Sequence, residues 1–370
     1  MSGKVNIKTV ISFAGAYVAT VIGSGFATGQ EILQFFTFYG YAGIIGGIIS
    51  MVLFSWFGAE VIDKGRELKL KEPIKIYQVY CGKYLGTFFE WFGPLFLFGT
   101  LVIMIAGAGA TLSEYYGLNP YVGRIGMAIV SLITVSLGLT RLSKILGNIG
   151  PIIIIFTLLV GAISLFSNID ALSNAGNMVD SLNIKTATSN GYFSGVLYTC
   201  YNVIIVITFL TGMGASAVNK KDAVWGGIVG GVALMAAAIM MNLALLSDIG
   251  NIYTKEIPAL YLADKISPII GILFSVVLLL GIYTTAVPLL WSVTNRFVED
   301  DHPKFKIITI VVSILACIGG LLPFDKLVGT LYPYTGYMGI LILLCMLYRR
   351  ITKTEGYKEN KSEIDRKSVV

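Results

Sequence analysis

Apolar residues in this chain fall in runs of roughly twenty, separated by short polar or basic stretches, from the N-terminal region to residue 347. That is the length a helix needs to cross ~30 Å of hydrocarbon. The runs are continuous and show no ~10-residue alternation, so they predict helices and not a membrane barrel. Ten spans are read: Val10–Phe36, Ala42–Ile62, Thr87–Thr111, Val122–Leu139, Ile145–Phe166, Gly195–Val218, Ala223–Leu246, Pro268–Val293, Ile307–Leu322 and Leu327–Leu347. Pro73–Tyr84 reads as a short amphipathic surface helix, and Ser167–Asn190 as a long polar connection. The expected fold class is an all-α polytopic membrane protein.

Composition agrees. Of 370 residues, 55% are hydrophobic and only 13% charged, too few charges to cover a soluble domain of this size. No cleavable signal is expected, because the first apolar run is too long and has no small-residue cleavage site. The four cysteines, Cys81, Cys200, Cys317 and Cys345, show neither disulfide nor metal-ligand spacing and read as small core residues.

The sequence pI of about 8.9 would suit a nucleic-acid binder, but the placement of the charges gives it another meaning. With the N-terminus in the cytoplasm, only Arg124, Lys185, Lys255, Lys265 and Lys326 of the 27 basic residues fall on the outer side. The positive-inside rule then puts both termini in the cytoplasm of an inner-membrane protein whose large partner is the lipid bilayer. Nucleic acid has no place in this account.

The long outer segment divides the chain into residues 1–167, with five spans, a connection at 168–190, five further spans at 191–348, and a basic tail at 349–370. An odd number of spans per half requires the second copy to run in the opposite direction. Inverted repeats of this kind carry a substrate site near the midplane, where the first helix of each copy is broken. In the first span, Gly23-Ser24-Gly25 followed by Thr28-Gly29 loosens the helix and would free backbone amides for a carboxylate. Close helix packing through small residues is the plainer explanation of such a cluster. In the sixth span Tyr201, Asn202 and Thr208 lie at membrane depth ahead of Gly212 and Gly214, so a second break is expected there, with Asn202 serving either a substrate or a neighbouring helix.

Through Gly23–Glu31 (GSGFATGQE), and through Tyr201-Asn202 followed by a glycine-rich turn, the chain resembles the LeuT-fold (APC superfamily) transporters, and specifically the YkvI-like bacterial membrane proteins. The resemblance implies two inverted five-helix repeats with discontinuous first and sixth helices. It also implies a bundle of spans one, two, six and seven that rocks against a scaffold of spans three, four, eight and nine. Gly23, Ser24, Gly25, Thr28, Tyr201, Asn202 and Thr208 are then the substrate-binding candidates. Carried over by position, a sodium ion would take carbonyls of Ala19, Ile22 and Gly281 and hydroxyls of Thr284 and Thr285. Positions 281, 284 and 285 do share a helical face, although threonine pairs in membrane helices often simply bond the preceding turn. Some proton-coupled relatives place a fifth-span lysine in this position. Here that span is apolar apart from Asn148, Thr157 and Ser164, with Lys144 at its cytoplasmic mouth, which favours sodium.

The remaining polar groups are few. Glu31 is a gating or proton candidate, or else only an anchor at a helix end. Glu60 and Glu90 read as helix-end residues or ion-pair partners at the cytoplasmic boundary, and Glu114 either as lining an outer vestibule or, more simply, as an ion-pair partner of Arg124. Tyr332, Tyr334 and Tyr337 read as an interfacial aromatic belt or, in this fold, as a cap on the substrate path, and His302, the sole histidine, as part of a solvated loop with Asp300 and Asp301. One loop histidine and no phosphate-binding motif argue against an enzyme or an ATP-driven pump. The expectation is sodium-coupled symport of an amino acid or similar small amine-bearing acid, with no cofactor besides the coupling ion. Proton coupling and a non-transporting ligand receptor on the same scaffold are the alternatives.

Overall fold

The computed structural model describes residues 5–137, 143–182, 184, 186–299 and 302–352, with the side chains of Ser24 and of residues 143–150 left out. The side chains of Ser24, Lys144 and Asn148, the Asp300-Asp301 pair and the tail beyond Thr352 therefore lie outside the described residues. The described chain is helical throughout, and it is a polytopic membrane protein. Six helices are each long and apolar enough to cross a membrane: α4 (Tyr41–Leu68), α5 (Ile76–Tyr116, after a 3-10 turn at Pro73–Lys75), α9 (Gly191–Gly214), α10 (Lys220–Leu246), α13 (Pro268–Asn295) and α15 (Phe324–Thr352). Three shorter apolar helices, α1 (Ile7–Val21), α6 (Pro120–Ser136) and α14 (Phe305–Gly319), take the places of the first, fourth and ninth spans. The fifth is α7 (Ser143–Ser167), beyond which the chain bends by 77° into the connecting segment that holds α8 (Ala175–Ser181).

The segment expected as a surface helix at Pro73–Tyr84 is helical, but Ile76–Tyr80 are buried in the bundle, with the Tyr77 hydroxyl donating to the Ile204 carbonyl (2.9 Å), and the helix is joined to the third span. Its one non-helical residue is Gly82 (φ 74°, ψ 179°), where the chain turns into the span proper.

The first span is broken as expected. α1 stops at Val21, Ile22 leaves the helical region (φ −74°, ψ 83°), and only the four-residue α2 (Ser24–Ala27) follows before α3 (Gln30–Phe35). Gly29 makes the second turn in the left-handed region (φ 80°), where a residue with a Cβ is strained. Thr28 completes that turn: its hydroxyl donates to the Gly25 carbonyl (2.6 Å) and accepts from the Gln30 amide (3.2 Å).

The sixth span corrects the sequence reading, because α9 is a single unbroken helix. Between Gly195 and Gly212 it contains no glycine or proline, so nothing frees a backbone bond at mid-depth. Gly212 and Gly214 come at its end, and Gly214 lies flush against the Ile62 carbonyl of α4.

Packing follows the two bodies that the family resemblance implies. α4 is held between α9 and α10, with α1 against α10, while α5, α6, α13 and α14 contact one another. The α4 contacts are backbone to backbone. Gly46 meets Gly195 and Gly191 of α9, and Gly58 and Ser55 meet Gly227 and Gly231 of α10. Small residues allow this approach in lipid, where close packing replaces a hydrophobic driving force.

At the basic end of the bundle, Glu90 pairs with Lys75 (3.0 Å) and Glu60 with Arg350 (2.9 Å), as expected. His302 sits in an exposed turn, its Nδ1 accepting from the Lys304 amide (3.1 Å). All four cysteines are free.

Candidate substrate and ion site

The break in the first span opens onto α13 and α9. Where α1 ends, the Gly23 amide turns to the Val21 carbonyl (2.8 Å) and not to Ala19, so the Ala19 carbonyl loses the partner a continuing helix would supply. Across the gap, the Thr285 hydroxyl of α13 lies within 3.9 Å of where a Gly23 side chain would begin. Thr285 thus stands beside the turn at Ile22–Gly23. The hydroxyls of Thr284 and Thr285 both donate to the Gly281 carbonyl (2.9 Å each). This is the local bonding common in membrane helices. It leaves each hydroxyl oxygen's lone pairs available to a cation, since a hydroxyl has one proton to give and two pairs to offer.

On the other side of the break stands a buried acid. Glu31, in the first turn of α3, folds back so that its carboxyl covers Gly25, and a side chain at position 25 would coincide with it. Oε2 accepts from the Tyr201 hydroxyl of α9 at 2.7 Å, and Glu31 forms no ion pair among the described residues. Aromatic rings close around this pair. The Tyr201 ring stacks on Tyr332 (4.6 Å between centroids, 5° between planes) and on Phe35 (5.3 Å), and meets Tyr198 edge-on (5.5 Å). Two polar atoms in this neighbourhood, Gln30 Oε1 and the Tyr198 hydroxyl, are buried without a hydrogen-bond partner. A centre that is otherwise apolar therefore holds one carboxyl without a cation and two unused polar groups, an arrangement that favours a polar or cationic guest.

The other candidates are placed differently. Asn202 donates to the carbonyl of Tyr198 in its own helix (2.9 Å). Thr208 lies seven residues beyond Tyr201, about 10 Å along the axis, one turn past the Ile204 carbonyl that accepts from the Tyr77 hydroxyl (2.9 Å). Neither joins the Glu31 cluster. Thr28 is occupied as a cap, and its carbonyl accepts from the Ala259 amide (3.0 Å). Tyr332 is not part of the aromatic belt, because it is 2% exposed, against 70% for Tyr334 and 41% for Tyr337. Its ring faces the interior of the bundle against α9, whereas Tyr334 and Tyr337 lie on the exposed side of α15.

Past the single turn α11 (Ile249–Ile252), a short helix, α12 (Pro258–Ile266), contacts Thr28 and covers the break from the Glu114 end. Ahead of it, Glu114 accepts the amides of Glu256 and Ile257 on a single oxygen (2.9 Å each). The expected Glu114–Arg124 ion pair is absent, and the Arg124 guanidinium lies instead over the Tyr121 ring (5.7 Å). Burial, aided by Asp325 and Glu114, holds the loop carboxyl of Glu256 above its usual range. Glu114→Ala should leave the two amides bare. Charge-assisted bonds contribute about 1.5–3 kcal/mol each, so hydrogen exchange at Glu256 and Ile257 should quicken at least about tenfold while the helix cores stay protected. Unchanged exchange there would show that α12 is held by packing alone.

No family model matches the chain. It is similar along nearly its whole length to two proteins of Bacillus subtilis (strain 168). One is the uncharacterized membrane protein YkvI, 24% identical over 91% of this chain and 95% of that protein. The other is the uncharacterized protein YyaD, 24% identical over 89% and 94%. Among solved structures, the inward-facing conformation of Mhp1 superposes with a TM-score of 0.60 (15% identity, 92% of this chain and 77% of that one). MhsT in complex with L-phenylalanine gives 0.57 (15%, 90% and 87%). A Na+-coupled sialic acid symporter gives 0.54 (13%, 94% and 88%). The chain therefore carries the LeuT fold, and its sequence is YkvI-like.

Proposed function

We propose that the protein is a secondary active transporter that moves a small amine-bearing acid, an amino acid or close relative, by alternating access with sodium. The observation that carries this reading is the pairing, at one broken helix, of a buried carboxyl without a cation and a threonine hydroxyl beside the turn that leaves the Ala19 carbonyl without its helical partner. The substrate's ammonium would sit beside Glu31 and over the Tyr201 and Phe35 rings, where charge attraction and cation–π contact act together. Its carboxylate would not rest on Gly25, because the Glu31 carboxyl already covers that residue. Sodium, as the co-transported cation, would take the Ala19, Ile22 and Gly281 carbonyls with Thr284 and Thr285. The all-oxygen ligand set suits a hard cation. MhsT with bound L-phenylalanine and the Na+-coupled sialic acid symporter, both on this fold, support the reading.

Glu31 also supports a second reading, in which it carries a proton as the coupling ion, because a bare carboxylate at this depth is costly without a cation or a proton. Thermal unfolding in detergent with sodium exchanged for choline, across a panel of amino acids and amines, separates the two. A ligand at about a hundred times its dissociation constant stabilises the native state by ~2.7 kcal/mol. Sodium is expected to raise the midpoint, and Thr285→Ala to abolish that rise without abolishing folding. No sodium effect, together with uptake into vesicles driven by a pH gradient alone, would transfer coupling to Glu31. Saturable binding without accumulation under either gradient would make the protein a receptor.

A further inference from the structure

Away from the central site, a cavity of about 560 Å³ lies between the last turn of α5, the loop leading into α12, and the start of α13. Tyr115, Tyr116 and Tyr261 form aromatic walls, and Glu114, Lys255 and Asp264 supply charge. Glu114 is engaged by the two loop amides. Neither of the other two forms an ion pair among the described residues, although the Lys255 ammonium lies within electrostatic reach of Glu114. Lys255 Nζ lies 5.3 Å from the centroid of the Tyr261 ring. Among the described residues Asp264 accepts only from the Tyr115 hydroxyl (3.1 Å), which the Pro268 carbonyl shares (3.1 Å). Its sequence neighbour Lys265 turns away to pair with Asp248 (2.7 Å). One cavity thus presents an ammonium and a carboxylate that do not pair with each other.

We propose that this cavity binds a small zwitterion of the amino-acid type as a second site, its carboxylate on Lys255 and its ammonium on Asp264 against the tyrosine rings. Opposite charges fixed on one aromatic-walled cavity complement a ligand that carries both signs. Leu260 and Ile272 offer apolar contact for its side chain, and the volume falls within the range of small-molecule pockets. α12 separates this cavity from the broken helix: Ala259 meets Thr28 and Gly29, while Tyr261 and Asp264 line the cavity. A ligand here would brace α12 against α5 and α13. The assignment is independent of Glu31 and of the coupling ion.

Chemical modification of Lys255 by reductive methylation of the full chain in detergent, quantified by mass spectrometry, tests it. The probes are L-leucine and its two halves, isopentylamine and 4-methylpentanoate, and ion-paired Lys265 is the internal control. L-leucine should protect Lys255 saturably, and each half should need at least about tenfold more, equivalent to ~1.4 kcal/mol. Asp264→Asn, which keeps an acceptor for Tyr115, should raise the half-protecting concentration of L-leucine about tenfold. Glu31→Gln should leave it unchanged. The proposal is overturned if neither L-leucine nor any other neutral amino acid protects at about 50 mM, where even a ~1 mM ligand saturates. Equal protection by the acid alone, or protection that vanishes in Glu31→Gln but survives Asp264→Asn, would also overturn it. Loss of uptake in Glu31→Gln with Lys255 protection intact would uphold both sites separately.

Discussion

Glu31→Gln is expected to cut substrate accumulation in vesicles by at least about a hundredfold, the scale of removing one charge from a buried ionic contact. Glutamine keeps the length of the side chain and an oxygen for the Tyr201 hydroxyl, so the 2.7 Å bond and the aromatic stack have every reason to persist. Only the negative charge is lost. Because the carboxyl is buried without a counter-ion, removing its charge should leave the thermal midpoint equal or higher. Low stability therefore cannot be the source of lost transport. Tyr201→Phe, which removes one hydroxyl and keeps the ring, should cost about tenfold or less. The same variant also distinguishes the two roles open to Glu31. If the carboxylate holds the substrate's ammonium, Glu31→Gln abolishes both net uptake and exchange of substrate across the membrane. If it carries the coupling proton, net uptake fails while exchange survives. Wild-type uptake in Glu31→Gln would remove the buried acid from the site altogether.

The positions of the spans were legible because lipid imposes one rule on every segment: a long apolar run must form a helix. The break in the first span was legible for a related reason. Gly23, Ser24 and Gly25 weaken a helix at mid-depth, and the chain turns at Ile22, beside them. The same reasoning failed at the sixth span, because composition does not distinguish a glycine that loosens a helix from one that lets a neighbour approach. Gly214 is of the second kind, pressed on the Ile62 carbonyl, and the sixteen residues from Val196 to Thr211 hold the helix straight. The belt reading of Tyr332 failed for a similar reason. It shares a short stretch with two interfacial tyrosines, and only the packing of α15 against α9 shows that its ring enters the core and stacks on Tyr201. The place of Glu31 depended on the turn at Gly29, which carries α3 over the break and brings the carboxyl back onto Gly25. Sequence spacing gives no sign of that return.

Gly227→Ala is expected to be the most destabilising methyl addition on α10. At most helix positions alanine stabilises relative to glycine by up to ~1 kcal/mol. Here the added carbon would fall on the Ala59 amide nitrogen and the Gly58 carbonyl carbon of α4. Side chains can rotate away from an intruding methyl, but a backbone cannot without moving its helix. The cost should therefore lie at or above the upper end of the ~1–3 kcal/mol seen for overpacked cores. Gly126→Ala on α6, with nothing within 4 Å of the new carbon, is the matched control and should be neutral or slightly stabilising. Thermal midpoints of the two variants in the same detergent make the comparison, with a clear drop expected only for Gly227→Ala. The location of the cost matters for function. Gly46 and Gly195 lock α4 to α9 in the same way that Gly58 and Gly227 lock it to α10, and α1 packs on α10 in turn. Helices joined through their backbones cannot slide past one another in small steps, so α1, α4, α9 and α10 should move as one body. Flexibility then concentrates where the backbone bonding is already open, at Ile22–Gly23 between Thr285 and Glu31. If Gly227→Ala folds with a wild-type midpoint, α4 and α10 are free to separate, and a rigid rocking bundle is the wrong description of this molecule.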